Sequence, residues 1–293
     1  MASQIKIVAT NENNIHVSGI QDEFSDINSL SIRWLGQAGF YLKFKDYSIL
    51  IDPYLSDFLA QKYAGKEFPH QRMMPPPIDP EQIRGLDFVF CTHGHSDHMD
   101  PGTLPTLAAN NPSCQFIVPK AEMTTAIERG VVDNRILAVN AGDSLRLTDE
   151  IRVDVISSAH ETIKMNGNGD HYYLGYILTF KNLRIYHSGD CIPYPGLSDK
   201  LKQFNVDVAL LPVNGRDNYR SNRGIPGNFS FEEATDLCRE SNIANLIVHH
   251  FGMFSFNTVD PDLLKEKVKM CGCNGLDIII PDQNSHYIIP CDH

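Results

Sequence analysis

The sequence has no apolar run approaching the roughly 20 residues that a membrane-spanning helix needs. Its opening, MASQIKIVATNENN, holds no apolar signal core. Both absences point to a cytoplasmic protein. Positive charge is scarce: 25 Lys and Arg stand against 36 Asp and Glu, for a net charge of −11. A nucleic-acid binder that works by neutralising phosphates needs a basic face, and this composition argues against one. It leaves room for a local basic pocket that holds one phosphate. No G-x-S-x-G and no H-E-x-x-H occurs, which removes the serine-hydrolase and zincin readings. Gly167-Asn168-Gly169 does not continue as a dinucleotide fingerprint. The seven cysteines (Cys91, Cys114, Cys191, Cys238, Cys271, Cys273 and Cys291) are odd in number and irregular in spacing. They read as reduced thiols rather than a disulfide framework. Cys271, Cys273, Cys291 and His293 make only a weak metal pattern.

What is present is an ordinary globular composition, 42% hydrophobic and 21% charged over 293 residues. That length is near the upper limit for one hydrophobic core, and the chain is read as one domain over 1–293. Short apolar runs recur between turn signals. SIRWLG and GFYLKF flank Gln37-Ala38 as a strand pair, and YSILIDP, GLDFVF, CQFIVP and RILAVN follow as strands. LRLTDEIRVDVISSA alternates like a hairpin, and Lys181-Asn182 joins YYLGYILTF to LRIYHSGD. VDVALLPV, NLIVHHF, LDIIIP and HYIIP are the later strands. Helices are expected in DPGTLPTLAANN, KAEMTTAIERG, SFEEATDLCRESN and DPDLLKEKVKMCG. Asp100-Pro101 and Ser230 mark starts, and Gly130 and Gly272 mark stops. Sheets packed together with helices outside fit this order, an α/β architecture.

The segment CTHGHSDHMD puts His93, His95 and His98 with Asp97 directly after a strand-like run. Imidazole suits zinc and similar divalent ions. Alternate residues of an extended turn point the same way, so His93 and His95 can grip one ion while Asp97 and His98 face a second. Two such ions can share a hydroxide nucleophile. Three more strand ends carry ligands: His160, Asp190, and the pair His249-His250, of which one is a ligand and the other structural. Lone histidines elsewhere, such as His16 and His293, read as ordinary polar residues.

In this order, THGHSDH, SSAH, HSGD and VHHFG resemble the metallo-β-lactamase superfamily. The resemblance implies an αβ/βα sandwich of four layers, two mixed β-sheets with helices on the outer faces. It implies one ion (zinc or manganese) on His93, His95 and His160. It implies a second on Asp97, His98 and His250, with Asp190 bridging and Asp52 supporting the histidines. Within the superfamily, RMMPPPIDPEQIRGLDFVFCTHGHSDH and VDVALLPVNGRDNYRSNRGIPGNFSFEEATDL are similar to the L-ascorbate-6-phosphate lactonase branch. That branch implies hydrolysis of a lactone or phosphorylated sugar acid, and homo-oligomeric assembly. The chain departs from it at His160, where the branch carries an acidic residue.

Asp97 is the expected catalytic group, orienting the hydroxide and passing a proton to the leaving group. A small anionic substrate calls for cations. Arg216, Arg220 and Arg223 follow a strand, and Arg72 lies with His70 in a proline-rich loop expected to close over the site. His171, in a glycine-rich tract read as a flap, is a further candidate. His187 is expected to orient a ligand rather than bind an ion. A phosphodiesterase or nuclease of the same superfamily is the alternative activity, and a non-catalytic metal-binding protein a third reading.

Overall fold

The computed structural model describes residues 5–11 and 28–292. His16 and His293 lie outside the described residues. The first sheet is built from β1 (Val8–Asn11), β2 (Ser29–Gly36), β3 (Gly39–Phe44), β4 (Tyr47–Ile51), β5 (Phe88–Phe90), β6 (Gln115–Pro119) and β7 (Ile136–Val139). The second contains β8 (Ser144–Arg146), β9 (Ile151–Ser157), β10 (Leu174–Phe180), β11 (Leu183–His187), β12 (Val208–Pro212), β13 (Asn245–His249) and β14 (Asp277–Ile279). The last strand, β15 (Ser285–Pro290), returns to the first sheet between β1 and β2. Each sheet is mixed. β4 through β7 and β11 through β14 run parallel, and hairpins supply the antiparallel parts.

Strands buried on both faces read as continuous apolar runs, which is why SIRWLG and VALLP lack clean alternation. Between the sheets lie Ile32, Trp34, Phe40, Leu42, Phe90, Tyr176, Leu178 and Phe180, all buried. Outside the first sheet, α2 (Leu104–Asn110) and α3 (Met123–Glu128) pack Leu104, Leu107 and Ala126 against Leu50, Val89 and Phe116. Outside the second, α4 (Leu197–Phe204), α6 (Phe231–Glu240) and α7 (Pro261–Met270) bury Leu201, Leu237 and Leu264. The result is the expected four-layer sandwich. Two short helices, α1 (Phe58–Lys62) and α5 (Asn218–Ser221), sit on the rim.

Local chemistry fixes several boundaries. Ser230 and Glu233 form a reciprocal capping box at the start of α6. Asp260 caps α7 through the backbone N–H groups of Asp262 and Leu263. The start expected at Asp100 falls later, because Asp100 turns inward to accept from Ser56 and Thr103, and α2 begins at Leu104. Among the described residues no helix is long and apolar enough to cross a membrane.

The expectation that every cysteine is a reduced thiol is corrected at one place. Cys271 and Cys273 are joined in a disulfide, which also removes them as the core of a second metal site. The other five form no disulfide and are buried.

Candidate metal centre

The ligand-bearing loops all leave the same edge of the sandwich, at the C-terminal ends of β4, β5, β9, β11 and β13. Residues on these strand ends face each other across the seam between the sheets. His93, His95, His160 and Asp190 bring one ligand atom each within 4.8 Å of one another, and so do Asp97, His98 and His250. Asp190 stands between the two groups. Its Oδ1 is 3.2 Å from both His98 Nε2 and His250 Nε2, and its Oδ2 is 3.7 Å from His160 Nε2.

Hydrogen bonds on the far side of the rings decide which atoms face inward. His98 donates through Nδ1 to Asp52 Oδ2 at 2.6 Å, so its Nε2 faces the cluster. Asp52 in turn accepts from the Thr92 backbone N–H at 2.7 Å and the Thr92 hydroxyl at 2.6 Å. His187 accepts from the Gly189 N–H through Nδ1 and donates from Nε2 to the Ala38 carbonyl, both at 3.0 Å. It therefore fixes the turn that carries Asp190. His249 stacks on His187 with ring centroids 4.9 Å apart, beneath the cluster, while His250 enters it.

Backbone strain collects here. Gln37, Asp52 and His250 have φ of +52°, +45° and +62°, and Glu161, next to His160, has +67°. Such conformations in non-glycine residues persist where the surroundings impose them.

Electrostatics prepare the cluster for cations. Burial, with the charges of His98 and His95, holds the His93 imidazole well below the usual histidine range. Burial likewise lowers His95 and pushes His160 down to about 4, so all three stand as neutral imidazoles with lone pairs to offer. Burial would raise Asp190, but His250 and His98 hold its carboxyl well below the ordinary value. Burial would lower His98, but Asp190, Asp52 and Asp97 outweigh it and raise the ring. His93 Nε2, His98 Nε2 and Asp190 Oδ1 are buried without a hydrogen-bond partner. Buried polar atoms ordinarily find partners. Open imidazole nitrogens and a carboxylate oxygen, shared between two adjoining ligand sets, are donors that suit divalent metals, and the residues fit them.

The cluster forms the floor of a cleft of about 670 Å³. Leu59, Tyr63, Phe68, Phe254 and Phe256 make an apolar wall. Lys62, Lys66, Arg129, Arg223 and Asn257 supply polar groups on the rest. The expected arginines divide. Arg223 lines the cleft, paired with Glu67 at 3.0 Å. Arg216 does not line it, because its guanidinium is clamped on Glu233 at 2.5 and 2.6 Å at the start of α6. Arg220 bonds Asp217 and the carbonyl of Asn214, and reaches the cleft only by holding Asn257 Oδ1 at 2.7 Å. Arg72 also lies outside the lining, over the Tyr54 ring, donating to the carbonyls of Tyr54, Ser56 and Met74. Its loop neighbour His70 does line the cleft, stacked on Tyr63 with centroids 4.1 Å apart.

His171 is turned away, bonded to Asn140 Oδ1 at 2.8 Å. The glycine-rich tract read as a flap folds on itself through Met165 and His171, and does not line the cleft. Three groups escaped the sequence. Arg129 reaches the cleft from the end of α3, donating to the Met99 carbonyl. Tyr173 packs against His93, His95 and His160. Gln37 touches Asp97 and His250 from the β2–β3 turn. Only Gln37 left a trace in the sequence, as an amide between two apolar strands.

Residues 47–251 match the family model described as a Beta-lactamase superfamily domain. A UPF0173 metal-dependent hydrolase of Pyrobaculum islandicum is 23% identical over 243 residues, 82% of this chain and 92% of that protein. The N-acyl-phosphatidylethanolamine-hydrolyzing phospholipase D 1 of Caenorhabditis elegans is 23% identical over 256 residues, 82% of this chain and 68% of that one. The isothiocyanate hydrolase from Delia radicum gut bacteria has the same fold, with a TM-score of 0.70 at 18% identity, covering 87% of this chain and 97% of its own. With the family model covering most of the sequence, on this fold and around this histidine and aspartate cluster, the chain belongs to the metallo-β-lactamase superfamily as a metal-dependent hydrolase.

Proposed function

We propose that the cleft hydrolyses a small anionic ester with two divalent ions, zinc or manganese, held by His93, His95 and His160 on one side and Asp97, His98 and His250 on the other. Asp190 serves both. The observation that carries this reading is the placement of both ligand sets at the floor of one cleft, with separate oxygens of Asp190 toward each set. When bound, such ions supply a water of lowered pKa and Lewis acidity at the reacting centre.

The chain's own groups do the remaining work. Asp97 lies at the cleft floor with its side chain 17% exposed, where its carboxylate can orient the incoming water and return a proton to the leaving oxygen. Its carboxyl is held below the ordinary value: burial would raise it, but His98 and His250 outweigh burial and the Asp190 charge. It therefore enters the reaction ionised. Arg129, Lys62 and Lys66 meet the substrate's anionic group, and the aromatic wall takes an apolar portion. The narrower substrate class is a lactone or phosphorylated sugar acid of the L-ascorbate-6-phosphate kind, for which the cationic groups suit the phosphate.

The aromatic wall favours a second reading, a phosphodiester carrying an apolar chain. The Caenorhabditis elegans relative, which hydrolyses N-acyl-phosphatidylethanolamine, acts on a substrate of that kind. Metal analysis of the purified protein, followed by a panel of sugar-acid lactones, acyl lactones and phosphodiesters with added Mn²⁺ or Zn²⁺, separates the two. Turnover confined to lactones selects the first, and turnover confined to phosphodiesters the second. Two bound ions without turnover of any ester would leave a non-catalytic metal protein.

A further inference from the structure

Gln37 is fully buried in the tight turn between β2 and β3. Its carbonyl accepts the Trp34 indole N–H at 3.0 Å and the His250 backbone N–H at 2.9 Å, which ties this turn to the end of β13. Its side-chain Nε2 lies 2.8 Å from Asp97 Oδ2 and 3.1 Å from His250 Nε2. Its Oε1 is buried with no partner. The amide thus points its donor end at two atoms of one ligand set and strands its acceptor end.

An amide's two ends are nearly identical in shape and opposite in chemistry, so which one faces a neighbour follows from what that neighbour needs. A cation held by Asp97, His98 and His250 needs the lone pair of His250 Nε2, and an N–H group cannot share it. A half-turn about the last side-chain bond brings Oε1 to the position of Nε2. Two oxygen or nitrogen atoms that ligate one ion at about 2.1 Å lie about 3.0 Å apart at a right angle, and about 3.4 Å apart at a tetrahedral one. The 2.8 and 3.1 Å separations fall near the first value, and the 3.2 Å separations of Asp190 Oδ1 from His98 and His250 lie between the two.

We propose that Gln37 is a ligand of the second ion through Oε1, beside Asp97, His98 and His250. This rests on the two-ion reading above. It gives that position oxygens from Asp97, Asp190 and Gln37, whereas the first position has three imidazoles and Asp190. Oxygen-rich sets favour manganese or magnesium, and imidazole sets favour zinc. The two positions therefore differ in metal preference, with manganese taken at the Gln37 side.

The test is titration of metal-free wild type, Gln37→Leu and Gln37→Glu with Mn²⁺ and with Zn²⁺, followed by calorimetry, metal content and the Mn²⁺ electron spin resonance spectrum. Wild type takes two ions. Gln37→Leu keeps the first, which reports an intact fold, and binds the second at least about tenfold more weakly. Gln37→Glu keeps both, the second at least as tightly as wild type, because a carboxylate oxygen replaces the amide oxygen. Unchanged second-ion affinity in Gln37→Leu overturns the assignment and leaves the two-ion reading standing. Loss of the second ion in Gln37→Glu overturns it too, since it means that an N–H donor was required. Fewer than two ions in wild type overturns both.

Discussion

Asp52 accepts the Nδ1–H of His98 at 2.6 Å, with both side chains sealed from solvent. That contact fixes the imidazole tautomer and aims Nε2 at the centre. Asp52→Ala frees the ring and strips the Thr92 backbone and hydroxyl donors of their acceptor. Metal affinity should fall by about 10–100-fold, with about 1–3 kcal/mol of stability lost to the orphaned donors. Metal titration alongside a denaturant melt checks both, and an unchanged affinity defeats the account.

Asp97→Asn keeps shape and loses charge. It should retain the ion on His93, His95 and His160 while turnover falls by about 100-fold or more. Metal content measured beside kcat decides the point. Retained turnover in metal-loaded Asp97→Asn removes Asp97 from proton transfer.

Gly189 has φ +59°, and a Cβ there would come within 2.7 Å of the Thr92 Cβ. Gly142 has φ +98°, with nothing within 4 Å of a Cβ. Alanine at either position meets backbone strain of roughly 1–2 kcal/mol, but only at Gly189 does it also push apart Thr92 and the Asp190 turn. Gly189→Ala should lower metal occupancy as well as Tm, whereas Gly142→Ala should lower Tm alone. Equal metal content in the two variants refutes the steric part.

Chelation should lower the melting temperature. An ion bound only by the folded chain adds about 2.7 kcal/mol at a hundredfold excess over Kd, which for a chain of this size is several degrees. Scanning calorimetry with EDTA, then with Mn²⁺ or Zn²⁺ restored, measures it. No recovery on restoring the ion contradicts the prediction.

Burial and the neighbouring Arg33 push His286 down to about 4 in the folded state, away from the metal centre. Unfolded, the ring titrates near 6.5. Below that pH the unfolded chain holds the extra proton, so this contribution is whole above about 6.5 and drains away as pH falls toward about 4. His286→Gln should flatten the fall in stability over that window, read from urea midpoints at pH 7, 6, 5 and 4. Parallel curves for the two proteins rule it out.

Much of the architecture was legible because its causes are local. Apolar runs such as NLIVHHF mark strands buried on both faces, and Ser230 with Glu233 announces α6 by spacing alone. The ligand atoms were legible because each follows a strand in sequence. The helix Leu197–Phe204 was missed: Gly196 at its start offers no side-chain cap. The substrate cations were mostly misplaced because an arginine's partner is a tertiary fact. Arg216 is held by Glu233 on α6, while Arg129 comes from the end of α3 to stand beside His95. Nothing near either arginine in the chain encodes that exchange.

His98 and His250 face the same point although about 150 residues separate them along the chain, and they belong to opposite sheets. A cation gripped by both is a clasp across about half of the polypeptide. Closing so long a loop is where a metal clip removes the most disorder from the unfolded chain. The nascent chain, by contrast, has His93, His95 and His160 in hand long before His250 is made, so the two halves of the clasp mature at different times during synthesis.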